Sequence, residues 1–282
     1  MHKTPFKIFL FILICLFVWV GRFFFLPEIA LLKAHNPSKS SFMKYREHQW
    51  REEGRKQTIR RQWVGLGRIS PFIIRAVVVG EDAKFWRHDG FDLVAIRYAL
   101  EKDIKTRKFA LGGSTITQQL AKNLYLSPSK NPLRKIEEAI LTWRIERTLS
   151  KRRIIELYLN NVEWGDGIFG VEAASEHYFG HSAAQISARE SAQLAAVLPN
   201  PIKFKPTSPV RYVSRRSRLI YAIMVRQGAV PEEADTTLKV SVAEAAPRVD
   251  TAAAMNMVET KKPAADTITS RDIDALLDSL DK

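Results

Sequence analysis

The spacing of apolar positions changes along this chain, and each change marks a different kind of segment. Ile8 to Gly21 is an unbroken apolar run, preceded by Lys3 and Lys7 and continued by Phe23, Phe24, Phe25 and Leu26. With Arg22 snorkelling, Phe6 to Leu26 is a span of 21 residues, and roughly 20 cross a bilayer as a helix. Residues 1–26 are therefore predicted to form an uncleaved N-terminal transmembrane anchor. A cleaved secretory signal is the alternative, but no small-x-small cleavage site follows the run. Pro27 to about Arg60 is polar, with a turn at Asn36-Pro37-Ser38, and reads as an irregular connector over 27–60. From Trp63 onward the spacing becomes helical. Leu133, Ile136, Ile140 and Trp143 form one apolar stripe; Ile154, Leu157 and Tyr158 form another, with Ser150 as a cap and Asn160-Asn161 as a stop. No stretch alternates well enough to predict an extended sheet, so the body, 61–230, is expected to be mainly α. Beyond about Pro231 large apolar residues become scarce and Ala, Thr, Pro and charge take over, which predicts a disordered tail over 231–282. At its end Ser270 is placed to cap a short helix carrying Ile273, Leu276, Leu277 and Leu280. That helix reads either as a frayed terminus or as a docking peptide for a protein partner.

Charge sharpens this division. Of 282 residues, 44 are Lys or Arg and 30 are Asp or Glu, a net of +14. The segment 240–282 holds 5 basic and 8 acidic residues, a net of −3, so the remainder carries +17. A surface that basic expects an anionic partner, and nucleic acid, anionic lipid and pyrophosphate all qualify. The N-terminal apolar run favours the membrane. Lys3 and Lys7 favour a cytoplasmic N-terminus, although Arg22 and Lys33 blunt the asymmetry; the body would then lie outside. The single cysteine, Cys15, lies within the apolar run, so no disulfide is available.

Candidate chemistry concentrates in two strings. Glu81-Asp82-Ala83-Lys84-Phe85-Trp86-Arg87-His88-Asp89-Gly90 holds a carboxylate pair, aromatics and a histidine. If this string is helical, Glu81, Phe85 and His88 share a face, setting an acid against an apolar wall that would raise its pKa. Gly112-Gly113-Ser114-Thr115-Ile116-Thr117-Gln118-Gln119-Leu120-Ala121-Lys122-Asn123 reads as a turn entering a helix, with Thr115 and Gln118 spaced as a capping box. Such a helix start favours an anion. Further on, Arg134, Lys135 and Glu138 fall on one side of a helix that Leu141 and Ile145 also interrupt. That mixture predicts a partly enclosed charge cluster, where the plainer reading is an exposed Arg–Glu pair.

The two strings together resemble the signature of the peptidoglycan glycosyltransferases, the family 51 enzymes that polymerise lipid II. Arg134 to Ala139, Ser150 to Asn160, Gly170 to Ala174, Tyr178-Phe179-Gly180 and Leu194 to Pro201 continue the family's pattern in its order. The resemblance runs from about Trp63 to Pro209. It implies a lysozyme-like fold of two lobes, the smaller one over roughly Phe91 to Ser129 and touching the membrane. The roughly fifty residues after Pro231 leave no room for a transpeptidase domain, so the likeness is to the monofunctional class. The location implied is the bacterial inner membrane, single-pass, with the catalytic domain on the extracytoplasmic side.

Carried over position by position, the family motif makes Glu81 the general base for the acceptor's GlcNAc 4-hydroxyl. Glu138 becomes the second catalytic carboxylate, near the donor's phosphates. Lys122, Arg134 and Lys135 would bind the pyrophosphate, and Ser114, Thr115, Gln119 and Asn123 would supply hydrogen bonds. Asp82, Phe85 and His88 complete the substrate-binding set; for Asp82 an orienting role toward the backbone, and for His88 a structural one, stay open. Partners implied are lipid II, a lipid-linked glycan and the membrane, with cell-wall synthesis proteins at the tail. The resemblance settles no cofactor, and a divalent cation at the pyrophosphate stays open. His177 and His181 are four apart like a metal pair, but Gly180 interrupts the helix and no third ligand stands nearby in sequence. The basic pairs Arg60-Arg61, Arg152-Arg153 and Arg215-Arg216 lack a nucleic-acid docking motif. Two rivals remain: a glycan-cleaving lysozyme-like enzyme, which would not need the three cations, and a non-catalytic scaffold binding anionic lipid.

Overall fold

A computed structural model of the chain describes residues 3–97, 113–128 and 133–230. The tail and its terminal helix, and residues 98–112 and 129 of the expected small lobe, lie outside the described residues. Helices dominate: α1 Lys3–Gly21, α2 Ser41–Glu52, α3 Pro71–Glu81, α4 Ile116–Tyr125, α5 Leu133–Thr148, α6 Lys151–Asn161, α7 Val171–Phe179, α8 Ala188–Val197 and α9 Arg211–Arg226. Three very short strands, β1 Arg60–Arg61, β2 Glu163–Gly165 and β3 Ile168–Phe169, form a sheet in the order β1-β3-β2. β1 runs parallel to β3, and β2 antiparallel to it.

Local chemistry sets the helix starts. Ser150 caps α6 by accepting the Arg153 N–H, as the sequence predicts. Thr115 with Gln118 opens α4, and Ser187 with Glu190 opens α8, each as a complete capping box. Ser70 caps α3 and is followed by Pro71 at the first helical position, where a missing N–H costs nothing. Gly180 ends α7 in the left-handed conformation at φ +79°. The centre of the core holds Phe85, Tyr158, Trp164, Phe169, Ile73, Ile116, Leu120, Leu141 and Ile145, all fully buried.

Three expectations change. The connector over 27–60 is not irregular throughout. It contains α2 and a 3-10 turn at Ile29–Lys33, with Met43 and Trp50 buried. Arg46 of α2 reaches Glu163 of β2 at 3.0 Å, fastening this stretch to the body. The stripe predicted for α5 is not its buried face. Ile136 and Trp143 are 47% and 43% exposed, whereas Glu137, Glu138, Leu141, Thr142 and Ile145 are buried. Two physical reasons account for this. The carboxylate of Glu138 has its own cations, and the outer stripe meets the chain after α1: Phe24 packs edge-on to Trp143, and Arg144 donates to the Phe23 and Phe25 carbonyls at 2.9 and 3.2 Å. Finally, α4 lies inside the boundaries expected for the small lobe, yet Ile116, Leu120 and Ala121 are fully buried and α4 packs on α5 and α6.

α1 covers 19 residues, about 28 Å at 1.5 Å per residue. Among the described residues no helix is long and apolar enough to cross a membrane.

Candidate active site

The first string does not form one helix. α3 stops at Glu81, Asp82 turns extended at φ −163°, Phe85–Arg87 is a 3-10 turn and His88 is extended. The break has a cause in Asp82, whose two oxygens have separate partners. Oδ2 accepts the Ile116 N–H at the start of α4 at 3.1 Å, and Oδ1 lies 2.8 Å from His88 Nε2. The anion expected at that helix start is thus a side chain of this protein. His88 Nδ1 accepts the Gly90 N–H at 3.1 Å, and Gly90 at φ +89° sits so close to α5 that an added Cβ would lie 2.8 Å from Thr142 Cγ2. Phe85 is fully buried beneath the Lys151 ammonium. Thr115 accepts from Gln118 N–H and donates to Gly90 C=O at 2.7 Å. Asp82, Phe85, His88 and Thr115, expected to touch substrate, thus each have partners within the protein. Through Asp82 and Thr115 they tie the segment after α3 to the start of α4.

That junction presents Glu81. Gly80 lets α3 approach α8 and α9, since a Cβ there would already stand 3.1 Å from Ile220 Cδ1. The close approach brings Arg216 of α9 to Glu81 Oε1 at 3.0 Å, while its second bond, at 2.7 Å, goes to the Gly80 carbonyl. Gln119 Nε2 donates to Glu81 Oε2 at 2.9 Å, and Tyr158 donates to Gln119 Oε1 at 2.9 Å. Burial raises the Glu81 pKa; Arg216, Gln119 and Lys122 oppose that rise without cancelling it. Arg216 was legible only as half of a basic pair, and its role at Glu81 escaped the sequence reading.

The second cluster lies along α5. Glu138, 2% exposed, accepts from Arg134 at 3.3 Å and from Lys135. Lys135 also reaches Ser114 Oγ at 3.3 Å, bridging to the entry of α4. Lys122 stands on α4, three residues after Gln119. Its pKa is lowered, first by burial and then by Arg134 and Lys135, against the pull of Glu138 and Glu81. A cation so placed feels both clusters. Asn123 is buried on the same helix. His181, half of the supposed metal pair, lies 3.1 Å from Glu190. Among the described residues, no group of three or more His, Cys, Asp or Glu side chains could hold a metal ion. A surface hollow lined by residues that include Asn36, Lys39, Glu47, Arg61 and Trp63 contains none of the residues of either carboxylate cluster.

The arrangement offers a carboxylate of raised basicity beside a cluster of three cations and a second carboxylate. Such a pairing suits removal of a proton at one point and departure of an anionic group at another.

Comparison with known proteins points the same way. The family described as Transglycosylase matches residues 47–225. A biosynthetic peptidoglycan transglycosylase of Nitrosospira multiformis is 44% identical over 218 residues, 77% of this chain and 94% of that protein. Proteins of the same name from Methylobacillus flagellatus and Chromobacterium violaceum are each 45% identical, covering 74% and 69% of this chain and 91% and 86% of their own lengths.

Proposed function

The chain belongs to the transglycosylase family, and from that premise we propose how this peptidoglycan glycosyltransferase divides the work of its reaction between two carboxylates. The enzyme polymerises lipid II into glycan strands. In our reading the lipid-linked growing strand is the donor and lipid II the acceptor. Glu81 removes the proton from the acceptor's GlcNAc 4-hydroxyl as that oxygen attacks the donor's anomeric carbon. The new β-1,4 bond forms on the face opposite the departing group, the bond from that carbon to the diphosphate oxygen breaks, and polyprenyl diphosphate leaves with the electron pair.

Lys122, Arg134 and Lys135 meet the negative charge that grows on the diphosphate. Preformed cations of this kind act most strongly where the charge is largest, in the transition state. Glu138 holds Arg134 and Lys135 in place and keeps the cluster from repelling itself apart. Ser114, which meets Lys135, and Gln119, which meets Glu81, offer hydrogen bonds to the substrates together with Asn123. The Lys135 ammonium, which joins Glu138 to Ser114 at the entry of the helix whose Gln119 holds Glu81, is the observation that carries this reading. A hydrolase acting on neutral glycan has no use for such a convergence, and a lipid-binding scaffold has no use for a buried, basic carboxylate.

At the membrane, α1 with the apolar residues after it, exposed Phe25 and Leu26 among them, serves as a single anchor in the bacterial inner membrane, with the body outside. The segment around exposed Leu93 and Val94 belongs to a smaller lobe that touches the bilayer in a lysozyme-like, two-lobed fold. Residues 231–282 follow the region matched by the family, 47–225, and are available to cell-wall synthesis partners.

Purified Glu81→Gln protein, incubated with lipid II and resolved by gel, tests the assignment. The variant keeps its fold but loses about 10²–10⁴-fold in polymerisation rate, the usual contribution of a general base. Near-normal polymer would rule Glu81 out.

A further inference from the structure

We propose that Tyr158 is a positioning residue for the base: its hydroxyl locks the side-chain amide of Gln119 with N–H, and not C=O, facing Glu81. The proposal rests on the reading of Glu81 as the base. It follows from a one-way chain of hydrogen bonds across three helices. Tyr158 on α6 donates to Gln119 Oε1 on α4 at 2.9 Å, and Gln119 Nε2 donates to Glu81 Oε2 on α3 at 2.9 Å.

Both ends of that chain demand the same polarity. An ionised carboxylate can only accept, so it requires the amide N–H. At the other end Tyr158 is fully buried, and among the described residues its hydroxyl has a hydrogen bond to Gln119 alone. Inverting the amide would turn Nε2 toward the phenol and leave the phenolic proton without an acceptor in a dry interior. The phenol keeps its proton throughout, because burial and the neighbouring charges of Glu81 and Asp82 push its pKa well above the usual value. A hydroxyl that always donates makes Gln119 a fixed donor rather than a side chain free to turn.

The fixed orientation matters most after proton transfer. Protonated Glu81 could be stabilised by an amide carbonyl; Tyr158 denies it that partner and so favours release of the proton and return to the basic form. The charged groups acting on Glu81 are Arg216 from α9 and Lys122 from α4, with Asp82 adjacent in the chain. None of these is altered by Tyr158→Phe, so the change isolates the amide.

The test is kcat/KM for lipid II polymerisation by the full-length protein as a function of pH, in wild type, Tyr158→Phe, Gln119→Met and the double variant. In Tyr158→Phe the acidic limb should move upward by about one pH unit, the order expected for one hydrogen bond to a charged acceptor. Gln119→Met should move it at least as far, and the double variant no farther, because Tyr158 acts through Gln119. A limb in Tyr158→Phe that coincides with wild type, or shifts that add in the double variant, would overturn the proposal. Should Tyr158→Phe fail to fold, 3-fluorotyrosine at position 158 serves instead, being a stronger donor of nearly the same shape. It should move the limb downward, and an unmoved limb again overturns the proposal. Glu81→Gln separates the two levels: a variant that still polymerises removes the base itself, whereas an inactive one beside an unmoved limb removes only the part assigned to Tyr158.

Discussion

Glu81 and Glu138 are the same residue type, lie in one site and are both largely shielded from water, yet their surroundings are built in opposite ways. Glu138 is clasped by two cations of its own helix, three and four residues earlier in the chain. Glu81 receives one guanidinium and one amide, contributed by residues 135 and 38 positions away, and burial still raises its pKa. A carboxylate with two cations upon it serves as an anchor for those cations. One that burial keeps partly short of compensation serves as a base. The local partners make a cluster of fixed charge, and the distant ones make a tuned one.

The comparison breaks most visibly at Lys135. Its ammonium is half exposed and holds both Glu138 and Ser114. Replacing it with alanine should lower kcat by about 10–100-fold while the KM for donor changes only a few-fold, because the charge it meets develops as the bond to diphosphate breaks. Steady-state kinetics at saturating and limiting donor separate the two effects. A rise in KM with kcat preserved would make Lys135 a simple binding residue.

A smaller effect sharpens the contrast from the side of Glu81. A carboxyl whose folded pKa lies above its unfolded value stabilises the fold at low pH, and this contribution is lost as pH rises through the folded value. The amide that replaces the carboxyl in Glu81→Gln cannot titrate, so the melting temperature of this variant relative to wild type should climb between about pH 4 and neutrality. The climb should be a few degrees, at about 2–4 °C per kcal/mol for a domain of this size. Parallel melting curves across that range, with a constant gap, would mean that burial does not tax the Glu81 charge.

What the sequence revealed follows the same division between local and distant partners. Helix caps at Ser150 and Thr115 and the grouping of Arg134, Lys135 and Glu138 depend on residues within four positions of one another, and periodicity exposes them. Leu141 and Ile145 correctly betrayed the enclosed side of α5, but the stripe from Leu133 to Trp143 misled, because its cover is the segment at Phe23 to Phe25, over a hundred residues away. The helical reading of Glu81, Phe85 and His88 failed for a similar reason. Asp82 ends the helix by serving α4, a tertiary contact that no local pattern encodes. Arg216 looked like part of a basic surface until α9 placed it on Glu81. The strands of two or three residues are too short to show alternation at all.

The most direct test of the division of labour is the pH dependence of kcat/KM in Glu138→Gln. The account predicts a plateau lowered by about 10–100-fold, through disorder of cations that act on the leaving group, and an acidic limb within about half a pH unit of wild type, because the base that sets it is untouched. Measurable turnover in Glu138→Gln with the acidic limb abolished would contradict it, since Glu138 and not Glu81 would then be the group that accepts the proton.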